Sequence, residues 1–140
     1  MQFDLFLQFL TEQWILASAL ASTLGLLFYH ESRKSGPAVS TQQAINLVNS
    51  KGGVFLDIRD GAEFKKGHIA DAVHIPLASL QGRSGELEAH REKPIIVVCR
   101  LGQSASGATK RLRAQGFAGA QKMTGGMMEW NAQKLPVVSG

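Results

Sequence analysis

Ile95-Ile96-Val97-Val98-Cys99-Arg100-Leu101-Gly102-Gln103-Ser104-Ala105 is the stretch from which the rest of the chain can be read. A short continuous apolar run ends at the chain's single cysteine, passes through a polar loop around Gly102 and enters a helix-like segment. Such a run, rich in β-branched residues and bounded by loop residues, predicts a strand buried on both faces. Cys99 then falls at a strand's carboxyl end, facing the N-terminus of the next helix. Unpaired amides of the loop and first helical turn favour an anionic sulfur at such a place. Arg100 adds a neighbouring positive charge, and Gly102 lets the backbone curl around a central atom. Since the thiolate rather than the thiol attacks, the pattern marks Cys99 as a nucleophile. The bland reading, a small buried hydrophobe at a strand end, is the commoner fate of an isolated cysteine, but it leaves the loop unexplained.

Outward from this stretch the hydrophobic periods alternate. Ser40 opens a Ser-Thr-Gln-Gln capping pattern, and Ala44, Ile45, Leu47 and Val48 supply an apolar helical face before Gly52-Gly53. Val54–Asp57, Val73–Ile75 and, more weakly, Gln121–Met123 read as further strands. Residues 105–115 read as a helix with Ala108 and Leu112 inward, stopped by Gly116. Short strands separated by helices predict an α/β fold, a mostly parallel sheet covered on both faces with its ligand site at the strands' carboxyl ends.

Cys99-Arg100-Leu101-Gly102-Gln103-Ser104 resembles the active-site loop of rhodanese-like sulfurtransferases, a six-residue loop opened by a cysteine with glycine in its fourth position. Leu56-Asp57-Ile58-Arg59 running into Glu63-Phe64, then Gly67-His68-Ile69-Ala70-Asp71-Ala72-Val73-His74-Ile75-Pro76, and finally Gly125-Gly126 with Trp130, match the same family in the same order. The resemblance covers residues 39–138. It implies a small parallel sheet flanked by helices and a sulfurtransferase in which Cys99 takes a sulfane sulfur from thiosulfate or a persulfide. That sulfur then passes to a thiol or protein acceptor, with Arg100, Leu101, Gly102, Gln103 and Ser104 as the substrate-binding loop and no cofactor. Many members carry a second basic residue where Ser104 stands, and Leu101 is apolar, which weakens the case for dianionic thiosulfate. Tyrosine-phosphatase chemistry is disfavoured, because the arginine that would clamp a phosphate is replaced by Ala105.

Other residues take structural readings. Asp57 and Arg59 are expected to tie loops together, and His68 and His74 to be framework. Trp130 is expected to pack over the sheet with Met127 and Met128 filling around it.

Ahead of this domain, residues 13–30 contain no Asp, Glu, Lys or Arg and are dominated by apolar and small side chains. At about 1.5 Å per residue the run reaches roughly the hydrocarbon thickness of a bilayer, which predicts a transmembrane helix. Trp14 and Tyr29 stand at its ends, and all 15 lysines and arginines follow it, so the positive-inside rule places the domain in the cytoplasm. The expectation is thus a single-pass inner-membrane protein: a lead-in at 1–12, a span at 13–30, a juxtamembrane linker at 31–38 and the rhodanese-like domain at 39–138. Ala17, Ala21 and Gly25 recur on one face of the span, a pattern suited to helix–helix contact. A secretory leader is disfavoured because the first thirty residues carry two acids and no lysine or arginine.

With one cysteine, an intramolecular disulfide is excluded, and four scattered histidines give no metal-ligand spacing. A net charge of +4 with few basic clusters and no nucleic-acid module reads as a solvated surface near anionic lipid, not as a nucleic-acid interface. Against the sulfurtransferase stands one alternative from another class, a rhodanese-fold docking module that binds a partner at the inner membrane without using its thiol.

Overall fold

The computed structural model describes residues 1–34 and 37–140, the side chains of 31–34 excepted. It divides into two compact units, Met1–Arg33 and Lys34–Gly140.

The N-terminal unit is helical: α1 spans Gln2–Glu12 and α2 spans Trp14–Lys34. The two are nearly continuous across Gln13, whose N–H donates to the Phe9 carbonyl at 2.9 Å and whose carbonyl accepts from Ala17 at 3.0 Å. The lead-in is therefore an extension of the same helical rod. Phe3, Phe6, Phe9, Trp14, Ile15, Leu20, Leu24 and Phe28 are all exposed. The expected transmembrane helix is not found as such, since among the described residues no helix is long and apolar enough to cross a membrane. The physical reason is dilution: Ser18, Ser22, Thr23 and Gly25 interrupt the apolar run, and Gln13 and His30 bound it. The helix also runs on past His30 to Lys34, so the first part of the expected linker is helical, while Ser35 and Gly36 lie outside the described residues.

The second unit is the α/β domain. Its elements are β1 (Ala38–Val39), α3 (Thr41–Lys51), β2 (Val54–Asp57), α4 (Gly61–Lys66), β3 (Val73–His74), α5 (Leu80–Arg83), β4 (Ile95–Val98), α6 (Gln103–Ala114), β5 (Ala120–Met123) and α7 (Gly126–Ala132). Short 3-10 segments at Leu77–Ser79 and Ser84–His90 flank α5. The five strands form one parallel sheet in the order β1-β5-β4-β2-β3, as the alternation of periods predicts. β4, the strand that carries Cys99, lies at its centre.

Local chemistry sets the boundaries. Ser40 accepts from the Gln43 N–H at 3.2 Å while the Gln43 side chain accepts from the Ser40 N–H at 2.9 Å, a complete capping box that starts α3. Strand alternation then sorts side chains to two cores. Val54, Leu56, Ile95 and Val97 face one side with Leu80, Leu87, Ala108, Leu112 and Phe117. Phe55, Ile96 and Val98 face the other with Ala44, Met123, Met127 and Trp130. Every residue of β2 and β4 is buried, and removing a large apolar side chain from water is worth about 1.5–3 kcal/mol, so these two strands anchor the domain. Trp130 meets Phe55 edge-on at 5.6 Å and donates its indole N–H to the Pro136 carbonyl at 3.1 Å. Met127 joins this core as expected, whereas Met128 is 63% exposed: one step further round a helical turn it points away from the sheet.

Candidate active site

Because all strands run parallel, β2 and β4 end side by side, with Asp57 in register with Val98. The segments leaving those two ends build the site, Ile58 to Glu63 from β2 and Cys99 to Ser104 from β4. A cleft of about 190 Å³ opens there, lined by Arg59, Asp60, Glu63, Cys99, Arg100 and Ser104 over an apolar edge of Ile58 and Leu77.

Cys99 lies at the base of this cleft, 5% exposed. The Gly102 N–H donates to its Sγ at 2.9 Å. That contact requires the chain to reverse within three residues, which Gly102 does at φ +95°, a conformation that L side chains rarely adopt. α6 begins at the next residue, so the loop feeds directly into a helix N-terminus with no side chain capping it. The loop is held from behind by α7: the Met127 N–H donates to the Cys99 carbonyl at 2.8 Å and the Met128 N–H to the Arg100 carbonyl at 3.1 Å. Cys99 itself lines the cleft, and these contacts place one main-chain donor on its sulfur.

The loop residues named from sequence divide. Arg100 and Ser104 line the cysteine's cleft, and Gly102 contributes its amide. Leu101 and Gln103 are not part of that lining and instead line, with Gly102, Lys122 and Thr124, a separate cleft of about 380 Å³. Two acids in the cysteine's cleft, Asp60 and Glu63, were not among the sequence candidates. Their signal was positional: they follow directly on a strand adjacent to the cysteine's, at the carboxyl end where parallel sheets bind ligands.

The structural readings of the remaining polar residues hold. Arg59 grips Asp57 through Nε and Nη2 at 2.7–3.0 Å and reaches the Gly67 carbonyl at 2.8 Å, with the two side chains 9% and 2% exposed. This pair ties the loop after β2 to the turn that follows α4. Phe64 is stacked between the rings of His68 and His74, at 3.7 and 4.2 Å. His68 donates to the Phe64 carbonyl at 2.7 Å and His74 to the Arg59 carbonyl at 2.8 Å, so both imidazoles are framework. Among the described residues no group of His, Cys, Asp and Glu is arranged to hold a metal ion.

The family model for the rhodanese-like domain matches residues 40–133. The chain belongs to the rhodanese-like family. This rhodanese-like chain is 35% identical over 94 residues to a protein of Coxiella burnetii named thiosulfate sulfurtransferase GlpE, covering 67% of the chain and 86% of that relative. It is 32% identical over 103 residues to the uncharacterized Escherichia coli protein YibN, covering 73% of the chain and 72% of the relative. Among solved structures, the rhodanese-related protein of Thermoplasma volcanium superposes with a TM-score of 0.67 at 25% identity, covering 74% of this chain and 99% of the other. The family-model match, residues 40–133, lies within the second unit.

Proposed function

We propose that this chain is a sulfurtransferase that carries sulfane sulfur as a persulfide on Cys99. In the first half-reaction the Cys99 thiolate attacks the outer sulfur of the donor. The sulfur–sulfur bond of the donor breaks, its electron pair leaves with the departing thiolate or sulfite, and Cys99 becomes a persulfide. In the second, an acceptor thiolate attacks the terminal sulfur and the Cys99 thiolate is released. The observation that carries this reading is the Gly102 amide directed at Sγ at 2.9 Å at the base of an open cleft. A fixed donor of this kind stabilises negative charge on sulfur without reorganisation during reaction. The sulfurtransferase name of a relative at 35% identity supports the same chemistry.

The test is mass spectrometry of the purified chain after exposure to thiosulfate and to low-molecular-weight persulfides. A one-sulfur mass gain on Cys99, discharged by added thiol and absent from Cys99→Ser, is the expected result. No mass gain with any donor overturns the assignment and leaves the docking module as the reading of the fold.

The N-terminal unit is proposed to hold the domain at the inner membrane, on its cytoplasmic side. Support comes from the uncharged run 13–30, its exposed apolar side chains and the placement of all 15 basic residues after it. The Thr23 hydroxyl donates to the Ala19 carbonyl at 2.8 Å, so one of the polar groups in the run is satisfied within the helix. The face bearing Ala17, Ala21 and Gly25 is the proposed contact for a second membrane helix.

A further inference from the structure

We infer that the α/β unit carries a second ligand site, at the other end of β2 from Cys99, for a neutral apolar molecule of aromatic-ring size that bears an O–H or N–H donor. The inference does not rest on the persulfide reading of Cys99.

A cavity of about 590 Å³ opens where β2 begins, against about 190 Å³ for the cysteine's cleft, and the two share no lining residue. Val54 and Phe55 line the cavity, whereas Ile58, just past the end of the same strand, lines the cleft. The volume falls in the range of small-molecule sites, roughly 300–1,000 Å³. Its walls are mostly hydrocarbon, with Val48 from α3, Phe55 from β2, Trp130 from α7 and Leu135 after it. The Trp130 indole N–H is already given to the Pro136 carbonyl, so that wall offers no donor. Water finds few partners on such walls, and an apolar body that displaces it gains affinity.

Two acceptors in this lining have nothing to accept from. His90 lines the cavity, and its Nδ1 is buried without a hydrogen-bond partner. With the ring proton on Nε2, that nitrogen is an acceptor. A buried polar atom left unpaired destabilises the fold, so a partner supplied from the cavity is stabilising. Asp71 lines the same cavity at φ +64°, a left-handed conformation uncommon outside glycine, and its exposed carboxylate bonds to no other described residue. A ligand whose ring covers Val48 and Leu135 while its hydroxyl or amine donates to His90 Nδ1 meets both requirements, with Asp71 as a second acceptor beside it.

The experiment uses the full chain carrying Trp14→Phe, in vesicles of phosphatidylethanolamine and phosphatidylglycerol, so that Trp130 is the single tryptophan. The probe is 4-bromophenol, whose bromine quenches the fluorescence of an indole it touches. Quenching is expected to saturate, and bromobenzene, which keeps the ring and lacks the donor, is expected to bind about tenfold more weakly. His90→Leu should remove that preference. Val48→Phe, which fills the cavity, should abolish saturation, with Ala70→Leu as a second filling variant on another wall. Cys99→Ser should bind the probe as the parent does. Quenching that never saturates, that saturates alike for bromobenzene, that keeps its preference in His90→Leu or that survives both filling variants overturns the site. Loss of binding in Cys99→Ser overturns it too, by moving the probe to the cysteine's cleft. None of these results touches sulfur loading of Cys99, so the sulfurtransferase reading stands or falls separately.

Discussion

Gly126 lies against the carbonyl of Cys99 so closely that a Cβ built on it would come within 2.2 Å of that oxygen. The same Cβ would stand 2.9 Å from the Arg100 carbonyl carbon, and the residue holds φ +56°. The close approach is what brings the Met127 and Met128 amides onto the nucleophile's loop. Gly126→Ala is therefore expected to push α7 off the loop, destabilising the domain by about 2–3 kcal/mol through steric displacement and backbone strain. Urea unfolding measures the first effect, and a changed rate of Cys99 alkylation measures the displaced loop. A wild-type unfolding midpoint in Gly126→Ala would falsify this account of the α7 contact.

Gly107 gives the opposite sign. It sits within α6, and a Cβ there meets nothing within 4 Å. Replacing a mid-helix glycine by alanine removes conformational freedom from the unfolded chain, so Gly107→Ala is expected to stabilise the domain by about 0.5–1 kcal/mol. Because Gly107 lines neither cleft beside the loop, sulfur loading of Cys99 should be unchanged in the same sample.

The contrast between these two glycines shows what was legible in the sequence. The central strand, the cysteine at its end and the helix after it follow from an apolar run broken by polar residues, a local pattern. The capping box at Ser40 and Gln43 is equally local. What local pattern could not supply was contact between distant segments: Asp60 and Glu63 join the cysteine only because β2 and β4 pair in register. Leu101 and Gln103 were read as cleft residues because they are adjacent in sequence to Arg100 and Ser104. In the folded chain, which reverses at Gly102, they line a different cleft. β1 was missed because Ala38–Val39 has too few residues to show a period, and it is a strand only through its pairing with β5.

The Asp57–Arg59 pair is nearly fully buried, so breaking it from one side leaves a charge without its counterpart. Asp57→Ala is expected to cost about 3–5 kcal/mol, and Arg59→Ala a similar amount. The double variant should cost less than the sum by about 1–3 kcal/mol, since removing both partners leaves neither charge stranded. Urea denaturation of the four proteins in the cycle checks this, and strict additivity would show that the two side chains act independently.

Two exposed ion pairs flank the 3-10 segment before β4, and they predict a weak pH dependence with a defined sign. A hydrogen bond from Arg83, reinforced by its charge, holds the Glu86 carboxyl below its ordinary value of 4.5, and Arg91 does the same for Glu88. A carboxyl lowered in the folded state stabilises it above the unfolded value, and that contribution is lost as pH falls through the folded value. The double variant Glu86→Gln/Glu88→Gln should therefore melt slightly below wild type at neutral pH and match it at strongly acidic pH. Because the pairs are exposed, high salt should also erase the neutral-pH difference. A gap that persists in high salt would assign the effect to packing, for which Arg91 has a route through its stacking over Phe117 at 4.3 Å.

The N-terminal unit gives the last prediction, and it turns on distinguishing insertion from adhesion. Leu16, Leu20, Leu24 and Leu27 are exposed on α2, so in water the unit presents an apolar surface with no cover within the unit itself. The full chain is expected to sediment with membranes and to resist both high salt and alkaline washing, whereas a chain lacking residues 1–34 should stay in the supernatant. An aspartate at the middle of an inserted helix costs about 2.5–3.5 kcal/mol, so Leu20→Asp combined with Leu24→Asp should release the protein. Release of the wild type by salt alone would instead mean that the basic domain adheres to anionic lipid without insertion. Orientation can be read from a cysteine placed at exposed Gln115 in a Cys99→Ser background. A membrane-impermeant thiol reagent should label it only after the inner membrane is opened, and labelling of intact spheroplasts would reverse the assignment.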